Sequence, residues 1–198
     1  MNAQTAPSFD PLAKTLHWFV ALTILFMLPL GAFLSDGAEA IDPAWRTPLF
    51  TAHKTIGILI LFATLFRLYW RQNHKSPRWP RMPHWQFVTA KLVHSLLYVL
   101  TVLIPLSGWV LVSMGPYGIK LFGVIPFPSI PFLQDLEDVD SIREIMGEVH
   151  GGLASFLAVL IVLHIGGTLM HHFVDRDDVF LRIAPVWSHR FLNRLRGF

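Results

Sequence analysis

The chain has 198 residues, 53% of them hydrophobic, with a mean hydropathy of +0.49. That composition predicts a membrane protein with almost nothing left over for a soluble domain. There is no cysteine, which excludes disulfides, thioether-attached haem, cysteine-held iron–sulfur clusters and cysteine catalysis.

Four apolar runs, near residues 15–34, 49–71, 86–113 and 149–173, are each long enough to cross a hydrocarbon core of about 30 Å. The expected fold is all-α, a bundle of four transmembrane helices forming one domain over residues 1–198. The N-terminus lacks a basic stretch followed by a small-residue cleavage site, so the first run reads as a retained span. Twelve of the 16 basic residues and four of the 13 acids fall on the side of the two termini and the 72–85 loop, a net +8. The other side carries four basic residues and nine acids, a net −5. By the positive-inside rule both termini are cytoplasmic. The basic balance is therefore a topology signal; it implies contact with membrane lipid and no nucleic-acid partner.

The first span opens Leu16-His17-Trp18, with His17 one turn into the helix at the inner surface and Trp18 in the interfacial belt. A short acidic external loop, Asp36 to Thr47, leads to the second span. There His53 lies near the outer surface, and Gly57, four residues on, allows a flat macrocycle to approach the backbone. Arg67 follows His53 by fourteen residues. It is on the same face at the inner level, where its guanidinium suits a carboxylate such as a haem propionate. Arg71, one turn further out, reads as snorkelling to the headgroups. Gln72 to Trp85 is a proline-rich basic loop in which His74 and His84 read as solvated or interfacial.

The third span carries His94 near the inner surface. Its open roles are iron ligand, propionate partner or part of a quinone pocket. The long external segment Met114–Glu148 contains an apolar patch, FGVIPFPSIPF, expected to lie at the membrane surface and roof the outer site. A stretch able to form a short amphipathic helix, LQDLEDVDSIREIMGEV, follows. The fourth span carries His150 near its start and His164 near its end. Fourteen residues of helix span about 21 Å and return to within about 40° of the same face. One helix thus presents two imidazoles on one side, one near each surface. Beyond it, His171 and His172 mark the inner interface, and Asp175, Arg176, Asp177 and Asp178 read as solvated.

Helix direction sorts the histidines by depth. His53 and His150 are outer; His17, His94 and His164 are inner. An outer haem has only His53 and His150 as embedded ligands, and an inner haem most simply takes His17 and His164. Two imidazoles per iron leave no open position, which favours electron transfer over oxygen binding.

The order and spacing of these residues resemble the bacterial cytochrome b561 family of dihaem b-type membrane proteins. The matching elements are Leu16-His17-Trp18, His53-Lys54-x-x-Gly57, His94 within Leu92-Val93-His94-Ser95-Leu96-Leu97-Tyr98, His150, His164, and the trailing His171-His172-Phe173-x-Asp175-x-Asp177-Asp178. The resemblance implies two haem b groups on His17, His53, His150 and His164. It also implies an inner-membrane location and electron exchange with the quinone pool, ubiquinone in particular. Some members oxidise external superoxide; here Lys54, Lys120 and Arg143 are the cations available to attract it. Two other classes compete: an electron-transfer anchor subunit for a periplasmic redox protein, and a transporter using intramembrane histidine. The latter expects repeat symmetry and a midplane site, whereas these histidines lie near the two surfaces.

Overall fold

The computed structural model describes residues 8–37, 40–79 and 81–196. Residues 1–7 of the polar lead and the last two residues of the tail lie outside the described residues. Four long helices dominate: α1 (Pro11–Asp36), α2 (Pro43–Asn73), α3 (His84–Ser113) and α4 (Val139–Phe173). All four are long and apolar enough to cross a membrane. They pack as a sequential bundle, α1 on α2, α2 on α3 and α3 on α4, with α4 touching α1 to close it. The central seam is Val20, Ile24, Ile60, Leu100, Leu157 and Leu160. Large apolar side chains such as Leu22, Phe62 and Val162 point outward, which a lipid solvent accommodates.

The helices run past the apolar runs, because local chemistry sets their ends. Asp10 caps α1, accepting the Ala13 N–H at 2.9 Å, with Pro11 at the first helical position. Burial opposes the charge of Asp10. The N–H of Ala13, the Trp70 indole and the N–H of Leu12 outweigh it and hold the carboxyl below its usual range. Asp42 and Pro43 start α2 in the same way, so the second half of the expected acidic loop, from Pro43 on, is helix. The expected amphipathic stretch is not a separate element either. From Val139 onward it is continuous with the fourth span, giving one helix of 35 residues.

The first half of the apolar patch and the three residues before it form a β-hairpin, which the sequence reading did not anticipate. β1 (Ile119–Leu121) pairs antiparallel with β2 (Ile125–Phe127), Ile119 opposite Phe127. The turn needs positive φ at Phe122 (54°) and Gly123 (79°), which glycine supplies without steric cost. The hairpin is pinned to α2 by Phe122 N–H to Thr55 Oγ1 at 3.0 Å and by Lys54 Nζ to the Gly118 carbonyl at 3.3 Å. It is pinned to α3 by Trp109 Nε1 to the Pro128 carbonyl at 2.8 Å and by the Ile130 N–H to Ser113 Oγ at 3.1 Å.

The opposite end, which carries the first and last described residues, is held by α5 (Val179–Ile183) and α6 (His189–Leu195). Lys14 Nζ and Trp18 Nε1 donate to the carbonyls of Ala184 and Ile183, at 3.2 and 3.0 Å. The charged residues after α4 are not simply solvated. His171 Nδ1 meets Asp177 at 2.7 Å and Asp175 at 3.3 Å, and Arg196 pairs with Asp178 at 3.2 Å. Arg196 Nε also donates to Nδ1 of the buried His172 at 3.0 Å.

Thr55 is buried, so removing its oxygen leaves the Phe122 N–H without an acceptor. Thr55→Val is expected to cost about 1 kcal/mol of hairpin docking. Hydrogen exchange should read this as faster exchange at Phe122, with α1 protection unchanged.

Candidate functional site

Two histidine pairs face each other across the bundle. At the hairpin end His53 of α2 and His150 of α4 have ring centres 6.2 Å apart, with planes at 74°. At the terminal end His17 of α1 and His164 of α4 have ring centres 6.4 Å apart, with planes at 67°. All four rings are half-buried. Helix α4 supplies one member of each pair because fourteen residues bring it back to nearly the same face.

The separations carry chemical information. A metal–imidazole nitrogen bond of about 2.0 Å on each side, plus a ring radius of roughly 1.1 Å, puts two ring centres about 6.2 Å apart across one metal ion. Both pairs have that separation. His94 is also beside His164, but at 5.0 Å in an edge contact, too close to straddle a metal ion with it. His94 Nδ1 donates to the Ala90 carbonyl at 2.7 Å, and its ring also meets Trp79 of the 74–83 loop, centres 6.0 Å apart.

Hydrogen bonding distinguishes the rings. Ser107 Oγ donates to the Ile104 carbonyl at 2.8 Å, so at 2.9 Å it must accept from His150 Nδ1–H. That tautomer leaves the lone pair of His150 on Nε2, the form a metal ligand needs. His53 Nδ1 is buried and has no hydrogen-bond partner among the described residues. Arg67 Nη2 donates to His17 Nδ1 at 2.9 Å. Ligation by His17 through Nε2 requires the ring proton on Nδ1, so Arg67 would have to give up that bond, which frees its fork for a carboxylate. Arg67 and Arg71 lie 5.1 and 5.3 Å from the ring centre of Tyr98. Arg71 therefore packs on an aromatic ring instead of only snorkelling outward.

Two glycines let the rings sit where they do. A Cβ on Gly31 would stand 3.3 Å from His53 Cε1, and one on Gly108 would stand 3.1 Å from His150 Cε1. Gly57 beside His53, Gly151 and Gly152 beside His150, and Gly166 and Gly167 after His164 have open space where a Cβ would be. Paired neutral imidazoles at metal-spanning distance, flanked by open backbone, fit a haem at each end. Of the cations at the hairpin end, Lys54 is tied to Gly118, Lys120 is exposed on β1, and Arg143 is paired with Asp140 at 3.0 Å. Ser107, Gly31, Trp79 and Tyr98 were not anticipated as site residues. Only Tyr98 had a sequence signal, at four residues from His94 on one helix face.

The prokaryotic cytochrome b561 family matches residues 8–185, and the chain belongs to it. Among similar proteins is cytochrome b561 homolog 2 of Escherichia coli strain K12, 28% identical over 182 residues, covering 90% of this chain and 92% of that protein. Cytochrome b561 homolog 1 of the same organism is 27% identical over 175 residues, covering 86% and 93%. A Yersinia pestis protein named probable superoxide oxidase CybB is 25% identical over 171 residues, covering 86% and 92%. The chain is thus a multi-pass bacterial membrane protein of an electron-transfer family that implies b-type haem.

A side chain at position 108 should displace the His150 ring. Gly108→Ala is expected to cost about 1 kcal/mol in ring placement, roughly a fivefold weaker retention of haem at the hairpin end. Gly147→Ala, where a Cβ meets nothing within 4 Å, should retain haem like the wild type. Haem per chain after detergent washing checks both.

Proposed function

We propose that the protein carries single electrons across the bacterial inner membrane through two b haems. One is held by His53 and His150 at the periplasmic side, the other by His17 and His164 at the cytoplasmic side. The observation that carries this reading is the pair of ring separations, 6.2 and 6.4 Å, shared by one helix. A bis-imidazole haem, when bound, cycles one electron and offers no open iron position. The remaining work belongs to the chain. The spans exclude water, Ser107 orients His150, and Arg67 is available to hold a propionate once His17 ligates. His94 stands beside the inner pair as a neighbour of the haem or of a quinone. The +8 and −5 faces support cytoplasmic termini.

The inner end exchanges electrons with ubiquinone, and superoxide is the leading external donor. Each superoxide loses one electron and leaves as O2; two electrons and two protons reduce the quinone to quinol. The name of the Yersinia pestis relative supports superoxide. Lys54 and Lys120 supply local positive charge, while Arg143 is compensated by Asp140. A second reading, an electron-transfer subunit for a periplasmic redox protein, draws support from the hairpin, where Tyr117 is 87% and Val124 74% exposed. Co-purification of a haem or flavin protein with the chain would favour it.

His53→Ala and His150→Ala are each expected to lose one of two haems and leave the other; His17→Ala and His164→Ala should do the reverse. Reduced-minus-oxidised spectra with haem quantification decide this. If His94→Ala removes a haem and His17→Ala does not, the inner pairing is wrong. Lys54→Glu combined with Lys120→Glu should slow superoxide-driven ubiquinone reduction about tenfold at low salt, the lower end of steering effects. An unchanged rate counts against superoxide steering.

A further inference from the structure

The segment after α4 packs one face on the bundle and leaves the other open. Its inward side is fixed. Ala184 has no exposed surface, and Arg196 reaches His172 and Asp178 at 3.0 and 3.2 Å. Its outward side follows a helical pattern. Trp187, Arg190, Phe191, Arg194 and Leu195 are all exposed. The backbone is right-handed from Ser188 into α6, so these positions, spaced i, i+3, i+4, i+7 and i+8, share one face. Trp187, Phe191 and Leu195 form an apolar column, 84%, 63% and 50% exposed. Arg190 and Arg194 form a cationic column beside it.

Two observations say what covers this face. The first is charge. The terminal end has four acidic side chains, Asp10, Asp175, Asp177 and Asp178. Asp10 is held by the Ala13 N–H and the Trp70 indole, Asp175 and Asp177 by His171, and Asp178 by Arg196. Among the described residues Arg190 and Arg194 make no ion pair. With those four acids committed, their counter-charge comes from outside the bundle. The second observation is position. Val186, next to Trp187, lines a groove with Lys14, Trp18, Phe19 and Leu22 of α1. Phe19 and Leu22 are on the outward face of a membrane span. The apolar column therefore starts where bilayer, not water, adjoins the protein.

We infer that the outward face of residues 186–195 docks on an acidic phospholipid surface. Trp187, Phe191 and Leu195 sit in the upper acyl layer, and Arg190 and Arg194 meet headgroup phosphates. Tryptophan suits the interfacial layer, and an arginine stem lies along apolar surface while its head reaches charge. Apolar and basic side chains on one helix are the composition that binds anionic membranes. Helix α6 has only seven residues, too few to be stable alone in water. The bundle and the lipid grip it from opposite sides. Acidic lipid thereby stabilises the cover over His172, eight residues beyond His164 on α4. On the orientation proposed above the leaflet is the cytoplasmic one, whose acidic lipids attract basic segments.

The test is hydrogen exchange of the full-length holoprotein in nanodiscs of phosphatidylcholine alone or mixed with phosphatidylglycerol. Each basic residue near an acidic surface contributes about a factor of five, so α6 amides should exchange roughly thirtyfold more slowly in the acidic discs. High salt should shrink the difference. Arg190→Gln combined with Arg194→Gln should abolish it and leave haem content at the wild-type level. Trp187→Ser should speed α6 exchange in both kinds of disc. Equal exchange of the wild type in the two discs, or a difference that survives the double substitution, overturns the inference. Slowing that inorganic phosphate reproduces in phosphatidylcholine discs assigns the face to a free anion and also overturns it. Slowing that needs a cytosolic extract instead of acidic lipid does the same in favour of a soluble protein. Both leaflets of a disc have one composition, so failure bears on this face and not on the orientation or the haems.

Discussion

An imidazole inside a hydrocarbon span is costly unless its ring nitrogens have partners. This bundle places four such rings in two facing pairs, and much of its architecture serves that placement. Helix α4 offers His150 and His164 to one side. Helices α1 and α2 run in opposite senses, so His17 and His53, each close to the start of its apolar run, reach opposite ends of α4. Gly31 and Gly108 are small because a Cβ there would press on a ring. The apolar seam of Val20, Ile60, Leu100 and Leu157 lies between the two pairs and keeps the helices in register.

The four spans, the depth order of the histidines and the two facing pairs were legible from hydropathy and a fourteen-residue spacing. These depend only on helix geometry, which sequence reports well. The helix ends were less legible. Asp42 and Pro43 are strong start signals, yet the apolar run begins later, so hydropathy alone places the boundary inside the helix. The hairpin was not legible. Its strands have three residues each and its turn depends on Phe122 adopting a left-handed backbone, which no periodicity announces. The Ser107–His150 bond joins residues 43 apart on different helices, so only packing reveals it. The acids after α4 looked solvated because their partners, His171 and Arg196, become neighbours only when the chain folds back.

The two ends of the bundle are built differently. The terminal end is stapled by long-range bonds from α1 to the segment after α4, such as Trp18 to Ile183 and Lys14 to Ala184. The Arg196–His172 contact adds a further lock around a side chain that is only 1% exposed. The hairpin end is roofed by a small two-stranded element anchored next to His53 through Lys54 and Thr55. Membership of the prokaryotic cytochrome b561 family agrees with a role in membrane electron transfer.

The most direct test of the central claim is the haem content of the wild-type protein purified in detergent. Pyridine haemochrome quantification per chain should be combined with electron paramagnetic resonance of the oxidised form. The account predicts two b haems per chain, both low-spin with two imidazole ligands. One haem per chain would contradict the use of α4 at both ends. No haem would contradict the electron-transfer reading and return the four histidines to packing or transport.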